Sequence, residues 1–202
     1  MKMAAVAAAA IATSRLQSVL VDDDLYINQR LGVAFRKPAN WGYASIKQFK
    51  IIRDEYSIAV HSEVLNEEMR DWDLPILTIT QCPLNERIGP SIVVYVEKNE
   101  LEEGESLFSV MPLLQDYHAS MFKGYSRVGN YRAGQVSGCE SVEYVSKFIY
   151  ERRSGESFWV RNRSLCSVRG MLMYTMHMMD MPEQGINAQE EFDRFEQSIM
   201  YV

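Results

Sequence analysis

The stretch QVSGCESVEYVSKFIYERRSGESFWVRNRSLCSVRGMLMYTMHM, residues 135–178, decides the fold. It holds three successive strand patterns, 135–151, 157–168 and 171–178, rich in β-branched and apolar residues. Residues 152–156, Arg-Arg-Ser-Gly-Glu, read as the turn of a long hairpin between the first two. A fourth strand pattern precedes them at 125–133. Downstream, Asn187-Ala188-Gln189-Glu190 has the form of a capping box, and Phe192, Phe195 and Ile199 then share one face of a terminal helix. Upstream, Leu107, Phe108, Met111, Leu114, His118, Met121 and Phe122 recur at helical spacing over 105–122. Pro112 either kinks that helix or marks where its regular part begins, and Gly124 ends it.

Earlier still, strand patterns appear at 91–97, 75–81 and 58–64. A hairpin is expected from 25–28 and 33–37 around a turn at 30–32, closed by Pro38 and followed by Trp41-Gly42. Runs of strands with two well-separated helices imply an α+β sandwich with an antiparallel sheet, and not an alternating parallel fold. A chain of 202 residues fits one domain with a tail. Residues 23–202 are expected to form that single domain, since neither a linker nor a repeat divides them.

Residues 1–22 are an alanine-rich segment closed by Asp22-Asp23-Asp24. Met1–Ala12 reads either as a short secretory signal with an Ala-Ile-Ala cleavage site or as a plain alanine-rich helix, so both an exported and a cytoplasmic protein are consistent with it. Its apolar run of roughly ten residues is half what a bilayer span needs, and no integral membrane segment is expected. With 27 acidic against 21 basic residues, the net charge of -6 disfavours nucleic acid as a partner. A local basic cluster of Arg152, Arg153, Arg161, Arg163 and Arg169 is offset by Glu97, Glu100, Glu102, Glu103 and Glu105. Of these, Arg161 and Arg163 are candidates for contact with a protein partner.

At both ends the wording resembles the PsbP-like superfamily, which includes the Ran-binding Mog proteins. The carriers are Tyr26-Ile27-Asn28, Gly32-Val33-Ala34-Phe35 leading to Pro38 and Trp41, and Phe195-Glu196-Gln197-Ser198-Ile199. The resemblance covers about residues 24–202 and implies a central antiparallel sheet with helices packed on both faces, an α/β/α sandwich. It also implies a domain that acts by binding another macromolecule: members tune an oxygen-evolving complex, engage Ran, or serve as envelope lipoproteins and secretion chaperones. None of their binding residues maps onto this chain. The acidic N-terminal wording of the Ran-binding branch and a lipobox cysteine are both missing from it.

The chemistry-bearing residues are few. Residues 171–181 contain six methionines and His177, soft ligands suited to Cu(I). On a strand, Met173, His177 and Met179 share a face while Met176 and Met178 point the other way, so core packing on both faces is the competing reading. Cys139 or Cys166 with His177 as base would form a thiol site, but Cys82, Cys139 and Cys166 show no metal or redox spacing and pack well as buried thiols. His61, His118 and His177 fit no metal or hydrolase motif, and neither a nucleotide-binding nor a serine-hydrolase motif occurs, so no cofactor is expected. The aspartates of 22–24 and of Asp71-Trp72-Asp73 lack the EF-hand pattern. Trp72 among charges suits a protein contact, which makes Asp71, Trp72 and Asp73 further candidates for a partner surface. The expectation is a non-enzymatic accessory, assembly or chaperone-like domain. The alternatives are a small-molecule or copper-binding protein built on residues 171–181 and a thiol-dependent enzyme.

Overall fold

The computed structural model describes residues 19–44, 56–58, 75–81, 89–152 and 154–202. In chain order the strands are β1 (Val19–Asp22), β2 (Leu25–Asn28), β3 (Val33–Arg36), β4 (Gly42–Ala44), β5 (Tyr56–Ile58), β6 (Leu77–Thr80) and β7 (Ser91–Lys98). Helix α1 (Leu107–Met121) follows, then β8 (Ser126–Val136), β9 (Cys139–Arg152), β10 (Ser157–Arg169), β11 (Leu172–Asp180), helix α2 (Gln189–Ser198) and β12 (Met200–Tyr201). The large sheet runs β4-β6-β7-β11-β10-β9-β5, and β8 also pairs with β9. A small sheet runs β1-β2-β3-β12. Every pairing in both is antiparallel.

The alternation of β10 shows how the layers form. Leu165 joins Tyr174, Met176, Met178, Phe192, Phe195 and Ile199 in one apolar cluster, together with Phe35 of the small sheet. Its neighbour Cys166 joins Val142, Tyr144, Leu107 and Met111 in another. One face of the large sheet is therefore covered by α2 and the small sheet, the other by α1. This is the expected α+β sandwich with a helix on each face. The Phe35 ring lies 4.9 Å from Tyr26 and 5.2 Å from Phe195, which ties the N-terminal hairpin to α2.

Several local expectations are corrected. β8 runs unbroken through Gly134, and the turn to β9 sits at Ser137 (φ 50°) and Gly138 (φ 81°), the pair of positive φ values that a two-residue hairpin needs. Helix α1 starts at Leu107, capped reciprocally by Ser106 and Ser109, with Pro112 inside it. Pro112 faces solvent, where water can satisfy the carbonyl that its missing N–H leaves free. The Asn187–Glu190 capping box does not form. Instead the buried carboxylate of Asp180 accepts from the Ala188 amide at 3.0 Å, and Asn187 Oδ1 accepts from Arg161 at 2.9 Å. β12 was not foreseen; it pairs with β3. β1 lies inside the stretch expected as a separate N-terminal segment and pairs with β2 through Leu20↔Ile27. The rest of the alanine-rich segment, residues 59–64 of one expected strand, His61, Asp71-Trp72-Asp73 and Cys82 lie outside the described residues.

Candidate functional site

Arg163 and Arg161 sit side by side on the α2 face of β10 as parts of the fold's own clasp. The Arg163 side chain is 8% exposed and meets Glu143 of β9 at 3.2 Å, Asp193 of α2 at 2.5 Å, and Glu196 one turn further on. Burial works against its charge, but Asp193, Glu143 and Glu196 outweigh that and hold its pKa above the ordinary value. Glu196 is shifted upward, mainly by burial. Arg132 of β8 completes the chain of charges, donating to Glu143 at 2.6 Å. Arg161 grips Asp180 with two bonds of 2.9 and 2.7 Å. Arg132, Glu143, Arg163 and Asp193 line an open cleft of about 390 Å³ beside the β-bulge between Val128 and Arg132. Their charges are spent on one another, fastening α2 to the sheet.

Met173, His177 and Met179 do share a face, the one toward α1, but they do not converge. At about 3.3 Å per residue the strand sets Met173 and Met179 roughly 20 Å apart. Met173 packs with the cluster beneath Leu107, and Met179 with that around Phe148. The Met179 sulfur accepts from Tyr150 at 3.6 Å. His177 Nδ1 lies 3.0 Å from Ser164 Oγ and 3.4 Å from Asn162 Nδ2. Met176 and Met178 pack on the opposite face. Met173, Met176, Met178 and Met179 therefore fill cores on both sides of the strand, while Met171 is exposed.

The register lays a polar band across this same face. Ser146, Asn162 and Met179 stand opposite one another in one row; Tyr144, Ser164 and His177 do so in the next. Asn162 Oδ1 and Gln115 Nε2 of α1 are buried without a hydrogen-bond partner among the described residues, and the Tyr125 hydroxyl interacts with Ser146. His118 of α1 stacks on Phe122 at 5.2 Å, and burial drives its pKa down to about 4. His177 is likewise lowered to about 4, by burial and then by His118. Both are neutral imidazoles at pH 7. Burial also pushes the Cys166 thiol up to about 11, the reverse of what a nucleophile needs.

Sequence reasoning missed the outward face of α1. Phe108, assigned to the buried stripe, is 47% exposed; Leu113 is 71% and Tyr117 54% exposed. Inward, the helix buries Gln115 beside Leu107, Met111 and Met121. It thus buries an amide and a histidine while showing solvent a leucine and two aromatics. The signal was present: LFSVMPLLQDYHASM carries one charged residue, Asp116, where a surface helix ordinarily has a charged face.

Fold and site together define an α+β sandwich with one charge-poor helix on its surface. Among solved structures, the chain is similar in fold to LpqN, a protein involved in cell envelope biogenesis of Mycobacterium tuberculosis. They share 10% sequence identity over 83% of this chain and 82% of that one, with a TM-score of 0.51. It is also similar to the cyanobacterial PsbP of Synechocystis sp. PCC 6803, at 12% identity over 94% of this chain and 96% of that one, with a TM-score of 0.49. No family model matches the chain, and no curated protein matches it in sequence. Among the described residues, no helix is long and apolar enough to cross a membrane.

Proposed function

We propose that this domain is a non-enzymatic accessory module that binds a protein partner through the outward face of α1. The exposure of Leu113 and Tyr117 on a helix with one charge carries this reading. Leu113 and Tyr117 are one helical turn apart and so adjacent, and exposed aromatic and aliphatic side chains on a rigid element are what protein interfaces use as anchors. Rigidity comes from the capping box at Ser106 and the packing of Leu107, Met111 and Met121. The neutral histidines and the high-pKa thiol of Cys166 are a poor basis for catalysis. A part in cell envelope biogenesis, as LpqN has, is compatible with such a module.

The test is affinity capture from the source organism with the wild-type chain and with Leu113→Asp/Tyr117→Asp. The wild type should retain a partner that the variant loses, while both unfold at the same temperature. Recovery of the same proteins in equal amount by the variant would sink the reading.

A further inference from the structure

The inner side of α1 and the sheet beneath it carry the same pattern in the same order. On β9 and β10 the register sets successive rows under the helix: Val142 with Cys166, Tyr144 with Ser164, Ser146 with Asn162, and Phe148 with Val160. The outer rows are apolar and the inner ones polar, and β11 adds His177 and Met179 to the inner rows. Above them, Met111 packs with Val142 and Cys166, and the Phe122 ring lies 6.3 Å from that of Phe148. Gln115 and His118 fall between those two contacts. The spans agree, since Met111 to Phe122 is about 16 Å along a helix and Val142 to Phe148 roughly 20 Å along a strand. A polar middle therefore faces a polar middle, built from segments far apart in sequence.

Most polar groups of this band satisfy one another. Asn162 Nδ2 donates to Ser164 Oγ at 2.9 Å, Ser164 also meets His177 Nδ1 at 3.0 Å and bonds Tyr144, and Ser146 bonds Tyr125. Gln115 Nε2 on the helix and Asn162 Oδ1 on the sheet are the exceptions, each on a residue more than nine-tenths buried. Turning either amide over exchanges nitrogen for oxygen at the same place and supplies no partner. Buried groups left unpaired are costly, and native interiors satisfy them with ordered water.

We propose that α1 is seated over an internal water site, in which an ordered water bridges Gln115 of the helix and Asn162 of β10. Water suits the place because it donates and accepts at once, and so serves either orientation of the two amides. An ion does not suit it. The rows on β9, β10 and β11 hold no Asp, Glu, Lys or Arg, burial keeps His118 and His177 neutral, and Arg127 at the β8 edge of the band is exposed and stacked on Tyr131. The seam under α1 is thus held by apolar packing at its ends and by water-mediated bonds in its middle.

The test is magnetic relaxation dispersion of water oxygen on the full chain, with a crystal structure to place the water. Wild type should hold one more long-lived water than Gln115→Met/Asn162→Leu, and electron density should lie within hydrogen-bond reach of both amides. Equal numbers of long-lived waters in the two proteins, or a direct bond between Gln115 and Asn162 in the crystal, overturns the proposal. Should the double variant fail to fold, the wild-type crystal decides: density bridging the two amides supports the site, and its absence overturns it.

Discussion

The two helices occupy equivalent places on opposite faces of one sheet, yet they divide polarity in opposite ways. α2 reads QEEFDRFEQS: Phe192 and Phe195 are buried, and its five charged residues either line its solvent side or reach Arg163. Arg194 pairs with Glu190 and Glu191 along the exposed face. α1 turns Gln115 and His118 toward the sheet and Leu113 and Tyr117 toward water. A helix finished by the monomer segregates apolar from polar side chains. By that standard α2 is complete in the isolated chain, whereas α1 leaves Leu113 and Tyr117 in water.

The comparison is best challenged first on the α2 side, where the fold's stability should concentrate. Phe192→Ala removes a fully buried ring edge-on to Trp41, and denaturant unfolding should show a loss of about 3–5 kcal/mol. A loss below about 1 kcal/mol would mean that α2 is not the main clasp. Arg163→Met should cost about 3 kcal/mol, because Glu143 then keeps only the exposed Arg132 as its counter-ion. Adding Glu143→Leu should recover most of that loss in the same assay. If the double variant is as unstable as the single one, the cost lies in lost packing and not in a stranded charge.

How much of this was readable without coordinates depends on how local each cause is. The 152–156 turn, the strands around it and the existence of both helices follow from turn residues and periodicity, and the sheet confirms them. The strand patterns 125–133 and 135–151 leave Gly134 between them, whereas the turn sits at Ser137-Gly138; two glycines four residues apart offer the same signal, and Ser137 reaches positive φ without announcing it. β12, at two residues, is below what a pattern can show. Arg161 and Arg163 stand out as a basic pair, but their carboxylates come from Glu143, Asp180, Asp193 and Glu196 on three other elements, a tertiary fact. The charge-poor wording of α1 was legible; which of its apolar residues would face outward was not, because Phe108 lies only one residue from the buried Leu107.

On the α1 side, acid should act before it affects α2. His118 and His177 have pKa values lowered from 6.5 to about 4, so the unfolded chain binds more protons than the folded one between those pH values. Their contribution to stability is complete above about pH 6.5 and is lost progressively as pH falls toward 4, on the order of a few kcal/mol for the pair. Hydrogen exchange at pH 4.5 should show loss of protection in α1 ahead of α2. Equal loss in both helices would mean that the two faces unfold as one unit. His177→Asn should flatten the stability profile over this range.

The smallest expected effect is the most discriminating. Leu113→Ser/Tyr117→Ser changes two large side chains, yet both are mostly exposed in the free chain, so denaturant unfolding should shift by no more than about 0.5 kcal/mol per site. The same exchange applied to Leu107 and Met111, on the buried side of the same helix, should cost several times as much. A large loss at Leu113 and Tyr117 would show that the free domain already covers them, and the contrast with α2 would dissolve. A negligible loss leaves an apolar helix face that folding does not need, and selection for another surface is then the remaining physical reason for it.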